Sequence, residues 1–216
     1  MPRKSAGDRR EELIEAAIRV LVRDGVTAAT TRAIAAEAGV ALATLHYCFS
    51  SREELLGEAG RRITDRTVAA VRAAFTGEED LRHSIAGLLR TFWQGVEHAP
   101  GKELVGYELR QYALRQEATP ELAMHQVSHY LEVHEEFLRI VADSAGIEWT
   151  VPVDILARYI HASLDGLSLC WLVDKDSVRS QQVLDLMTDY LIGCARRRPD
   201  QNGLPTRTGR RRSPST

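Results

Sequence analysis

The chain has 216 residues and 24.1 kDa, room for one large domain or two small ones. Hydrophobic residues make up 44% and charged residues 27%, the balance of a soluble globule. A net charge of −2 excludes a polycation that coats nucleic acid indiscriminately, and no run nears the ~20 apolar residues of a membrane helix.

The charge is uneven: residues 1–51 carry net +1, residues 52–195 net −9 and residues 196–216 net +6. An acidic middle between a near-neutral head and a basic tail points to different partners for different parts. The start, Met1-Pro2-Arg3-Lys4-Ser5, has no apolar segment behind it and predicts no secretory signal. Cys48, Cys170 and Cys194 are odd in number and far apart. They form neither a disulfide framework nor a CxxC metal pair, and they suit a reducing cytoplasm.

The dominant period is helical, and the expected fold is all-α with about nine helices. Leu13, Ile14, Ala17, Ile18, Leu21 and Val22 form one stripe of a first helix that ends at Asp24-Gly25. A short second helix holds Ile34, Ala35 and Ala38 and stops at Gly39; a third runs from about Leu42 to Phe49. Ser50 and Ser51, with Glu53 and Glu54, give two overlapping S-x-x-E capping boxes. They open a fourth helix that ends near Gly77. Further helices are expected at about 80–98, 101–117, 120–145, 153–173 and 178–197. No run alternates with β-branched enrichment, so no sheet is assigned. Residues 199–216 have no apolar period and read as disordered. Three parts result: a short N-terminal helical part over 1–50, a larger helical part over 51–197, and a basic tail over 198–216.

The segment from Thr30 to Phe49 has the parts of a helix-turn-helix. A short helix ends at a glycine able to take positive φ, and a second short helix follows a tight turn. Ala35, Ala38, Val40 and Leu45 fall where two crossed helices touch. Leu42, Ala43, Thr44, His46 and Tyr47 are left for the outer surface. That surface bears no carboxylate, as a helix entering a phosphate-lined major groove requires.

These residues resemble the DNA-binding domain of the TetR family of transcriptional regulators. The likeness is carried by Thr30-Thr31-Arg32-x-Ile34-Ala35, Ala38-Gly39-Val40, Thr44-Leu45-x-Tyr47-x-Phe49 and Arg52-Glu53-Glu54-Leu55-Leu56. The resemblance implies that Thr31 and Thr44 donate hydroxyls to phosphates, that Tyr47 reaches the backbone with its phenol, and that Arg52 holds a phosphate. Arg32 would read a guanine edge or clamp a phosphate, while Leu42, Ala43 and His46 would face base edges. The sequence departs from the family pattern at Ala41, where Ser is common, at His46 and at Cys48. Ala41 leaves the recognition helix without a side-chain cap, a cost of about 1 kcal/mol. Arg3 and Lys4 read either as an arm touching DNA or as an ordinary solvated terminus.

Segment 153–173 confines Asp154, Arg158, His161 and Asp165 to one narrow stripe; the rest of its circumference is apolar or small. Ala162, Gly166 and Cys170 suit close helix packing, and Val183, Met187, Tyr190, Leu191 and Cys194 give the next helix a second stripe. Two such helices per subunit predict a four-helix interface of a homodimer, the arrangement the resemblance also implies. The alternative is that both helices close a monomer's core.

A small-molecule pocket is expected among the middle helices, with Phe92, Trp93, Tyr107, Arg110, Gln111, Tyr112, His129, Tyr130 and His134 as candidate liners. Each of them also reads as ordinary core or surface. No cofactor is expected.

Two other functions find some support in the sequence. His125 and His129 stand at i, i+4 with Glu132 or His134 near, a spacing able to chelate a metal. Without HExxH, GxSxG, a P-loop or GxGxxG, no enzyme chemistry follows, and Asp165 with Arg158 reads as a surface pair. A helical scaffold tethered by Arg196–Arg198 and Arg210–Arg212 is the other reading. The expectation is a cytoplasmic, homodimeric, ligand-responsive repressor. Its partners are a palindromic double-stranded operator, a second copy of itself and a small-molecule effector.

Overall fold

A computed structural model describes residues 5–74, 80–115 and 120–198. Among them the fold is all-α, with nine helices and one short ribbon. The tail from residue 199, the arm at Arg3 and Lys4, and the His125 side chain lie outside the described residues.

Helix α1 spans Ala6–Ala28. Ser5 and Asp8 form a reciprocal capping box at its start. The helix was expected to end at Gly25; instead it kinks there, with φ 79° and ψ 173°, and runs on to Ala28. That backbone region is open to glycine alone. Helix α2 (Thr31–Glu37) is capped by Thr30, whose hydroxyl accepts from the Ala33 N–H at 3.1 Å. It ends in a Schellman turn: Gly39, at φ 66°, donates to Ala36 O, and Val40 donates to Ala35 O. Helix α3 (Leu42–Cys48) begins at Ala41 with no side-chain cap. Helix α4 (Arg52–Ala74) starts with the Glu54 N–H donating to Ser51 Oγ at 3.0 Å.

Helices α5 (Leu81–His98), α6 (Pro100–Arg115), α7 (Pro120–Ala145), α8 (Val153–Asp174) and α9 (Ser177–Gly193) complete the bundle. The last helix was expected to reach residue 197, and no sheet was expected. Instead β1 (Ile147–Trp149) pairs antiparallel with β2 (Ala195–Arg197), with Glu148 opposite Arg196. Three-residue strands are too short to display alternation, so the sequence carries no period for them.

The described core falls into two large clusters. One joins α1, α2 and α3 to Leu55, Leu56 and Ala59 of α4 and to Val105 and Leu109 of α6. The boundary expected at residue 50 therefore passes through a continuous apolar core. Each fully buried Leu, Ile or Phe here contributes about 2 kcal/mol. The second cluster packs α5, α7, α8 and α9 around Trp93 and Trp171, whose rings meet edge to face at 6.0 Å. Helices α4 and α6 connect the two regions.

Candidate nucleic-acid interface and internal cavity

Leu45 is fully buried beneath the α2–α3 crossing, which turns the rest of α3 outward. Ala43, His46 and Tyr47 are exposed and Leu42 and Thr44 partly so; on α2, Arg32 is exposed and Thr31 partly so. Tyr47 leaves 83% of its surface to solvent. The nearby acid of α2, Glu37, is gripped by Arg19 at 2.7 Å and Arg23 at 2.9 Å, which hold its carboxyl below the usual range. Arg32 makes no ion pair with a described residue. The surface thus offers hydroxyls, an imidazole, a phenol and a free guanidinium.

Arg52 departs from its expected place. Its guanidinium turns inward, donating to Ala29 O at 2.8 Å, to the Tyr112 hydroxyl at 2.9 Å and to Val26 O. The end of α1 presents carbonyls without intrahelical donors, and a cation with a planar fork of N–H groups answers them. A phosphate contact is therefore not the role this geometry gives it.

Helix α6 has two working faces. On one, Glu108 accepts the Val26 N–H at 2.7 Å beside the Gly25 kink, and Tyr112 donates to Glu53 at 2.9 Å. On the other, Glu103, Gly106 and Arg110 wall a cavity.

That cavity has two adjoining chambers. The apolar one holds about 650 Å³ of empty space, open side included, among Val68, Val71, Leu88, Phe92, Val133 and Phe137. The polar one, about 1220 Å³ counted the same way, lies against Glu103, Arg110, Tyr130, His161 and Asp165. Phe92, Tyr130 and His134 line both. Of the nine expected liners, Phe92, Arg110, Tyr130 and His134 are in place. The other five are elsewhere. Trp93 is spent in the core against Trp171. Tyr107 sits behind the wall, its hydroxyl donating to the Asp165 carbonyl. Gln111 is exposed, Tyr112 belongs to the Arg52 junction, and His129 points toward Asp65 at 3.4 Å.

Glu103, His161 and Asp165 were not anticipated as liners. Asp165 pairs with Arg110 at 2.7 Å, not with Arg158. The signal was present in the narrow polar stripe of 153–173, of which His161 and Asp165 face the cavity while Asp154 and Arg158 face solvent. Tyr130 and His161 stack at 5.5 Å, and His134 lies 5.9 Å from His161. Burial pushes the His134 imidazole down to about 3 and lowers that of His161. Burial, reinforced by Asp165, lifts the Glu103 carboxyl to about 7, and burial raises the Tyr130 phenol to about 12.

On the outside of α8, Ala162, Gly166 and Cys170 are exposed, together with Ile155, Leu169 and Val173. The stripe expected on α9 is corrected. Met187 and Leu191 are each 2% exposed and belong to the chain's own core, while Val183, Leu186 and Tyr190 face out. The helix carries apolar residues on two sides, and the inner one takes Leu184, Met187 and Leu191. Tyr190 rests on Tyr159 of α8 at 4.7 Å, tying the outer stripes together. Among the described residues no helix is long and apolar enough to cross a membrane.

Residues 13–59 match the family model described as bacterial regulatory proteins, tetR family. Over 88% of this chain and 97% of the relative, the sequence is 31% identical to the HTH-type nicotine-responsive transcriptional repressor HdnoR of Paenarthrobacter nicotinovorans. The solved multidrug binding protein EbrR, complexed with imidazole, is 27% identical with a TM-score of 0.64, over 85% of this chain and 90% of that one. A TetR transcription regulator from Haloarcula marismortui shares the fold at 19% identity with a TM-score of 0.73, over 88% of this chain and 100% of that one. HdnoR and the Haloarcula protein are named as regulators of transcription, not as enzymes.

Proposed function

The chain belongs to the TetR family of transcriptional regulators, and from that premise we propose a homodimeric repressor released from a palindromic operator by a small molecule. The observation that carries this reading is α6. One helix supplies a wall of the cavity and, through Glu108 and Tyr112, the support of α1 and α4. A ligand that prefers one position of α6 therefore biases the placement of the α2–α3 pair.

Thr31, Arg32, Thr44 and Tyr47 are the proposed phosphate contacts, with Leu42, Ala43 and His46 facing bases. The apolar face of α8 and α9 is the proposed dimer seam. It would hold two α3 helices one DNA turn apart, about 34–36 Å, to meet successive major grooves. The cytoplasm is the proposed compartment, since the operator is there.

Selection from a random DNA pool with purified protein is the test. Enrichment of an inverted repeat, and its release by a compound that binds the protein, is the expected outcome. Nicotine is the first compound to try, given the response named for the relative. Binding without sequence preference would refute the reading.

A further inference from the structure

The effector reading leaves the chemistry of the ligand open, and this inference rests on that reading. The polar chamber contains two carboxylates and one inward guanidinium. Arg110 is already matched to Asp165 at 2.7 Å. Glu103, seven residues earlier on the same face of α6, makes no ion pair among the described residues, yet is largely buried beside Asp165. The other cations of the chamber do not serve it. Arg66 is committed to Glu15 at 2.5 Å, and Lys102 is exposed.

The same chamber is lined by the ring cluster of Tyr130, His134 and His161. Burial favours the uncharged form of both imidazoles, so they add no competing cation, and the Tyr130 ring is the aromatic surface that attracts one. The apolar chamber next to them, walled by Val68, Val71, Leu88 and Phe137, suits a compact hydrocarbon body. An anion here would meet Glu103 and Asp165 with the one guanidinium already spent. A wholly apolar guest would bury a carboxyl and leave it without a counter-charge.

We infer that the cavity takes an organic cation, a protonated or quaternary amine with a compact apolar body, its charge seated between Glu103 and the Tyr130–His161 rings.

The test is calorimetry on the full-length protein without DNA, at pH 8, with 3-phenylpropylamine, 3-phenylpropanol and 3-phenylpropionate. The three share one body and differ in charge. The amine should bind about tenfold tighter than the alcohol, with the carboxylate weakest. Glu103→Gln should bring the amine to the level of the alcohol, and Glu103→Asp should keep part of the preference. An alcohol equal to the amine, a carboxylate tighter than both, or no heat from the amine at millimolar concentration overturns the inference. Should Glu103→Gln fail to fold, the wild-type ranking decides alone. Operator release is measured separately. An amine that binds with the expected preference and leaves DNA bound refutes effector release and leaves the cation assignment standing.

Discussion

The Arg52 guanidinium donates to the Tyr112 hydroxyl at 2.9 Å and lies over the same ring, 5.1 Å from its centroid. Its other nitrogens take the carbonyls of Ala29 and Val26, so one side chain of α4 holds the end of α1 and the end of α6 together. Arg52→Ala should cost about 2 kcal/mol in urea unfolding, and Arg52→Lys should recover less than half, because an ammonium lacks the planar fork. A phosphate contact would instead change the salt dependence of DNA binding by about one charge. An unchanged salt slope for Arg52→Ala is the expected result.

His46 and Tyr47 should separate by function. Both are exposed, so neither substitution should change the unfolding free energy from urea titration by more than about 0.5 kcal/mol. Tyr47→Phe should weaken binding to every member of a selected DNA pool alike. His46→Ala should reorder base preference within the pool. Uniform loss with His46→Ala would move that residue to the backbone-contact group.

At the proposed seam, outward and inward residues of α9 should behave differently. Leu186→Glu places a charge on the exposed stripe and should give a folded monomer in sedimentation. Met187→Ala, at a buried position, should leave association intact and cost about 2–4 kcal/mol of stability. A dimer that survives Leu186→Glu would argue that the seam lies elsewhere.

Two cavity groups should titrate with opposite signs. The His134 imidazole is pushed down to about 3 from an ordinary 6.5, so below pH 6.5 the unfolded chain binds the extra proton. Its contribution is complete above pH 6.5 and falls on acidification by up to about 1.4 kcal/mol per pH unit. His134→Phe should flatten urea midpoints measured between pH 6 and 4. Glu103 is lifted to about 7 from 4.5, so the folded chain holds its proton longer and stability declines as pH rises toward 7. Glu103→Gln should raise the midpoint at pH 8 and change it little at pH 5.

Gly25 is the remaining test. A Cβ there would stand 3.1 Å from Glu108 Oε2, on a backbone that side chains avoid. Gly25→Ala should lower stability by about 1–3 kcal/mol. If α6 is the lever between cavity and DNA, the same substitution should shift effector response, read as the ligand concentration for half release.

What the sequence disclosed follows from which forces act locally. The cap at Ser51, the turn at Gly39 and the outward set on α3 are set by residues within one or two helical turns. They were legible for that reason. Arg52 was misplaced because its partners, Val26, Ala29 and Tyr112, are 23 to 60 residues away. The same holds for Asp165, whose partner on α6 no helical period announces. Met187 and Tyr190 lie on one apolar helix, and only the packing of α5 and α8 decides which of them is inside.

The continuity of the first core across α4 and α6 carries a consequence for protein engineering. A chimaera cut at residue 50 would transplant three helices without Leu55, Leu56, Val105 and Leu109, the floor they stand on. Exchanging specificities among relatives therefore calls for grafts that redraw the outer residues of α3 in place. Inheritance faces the same constraint, because recombination at that point breaks more than it swaps.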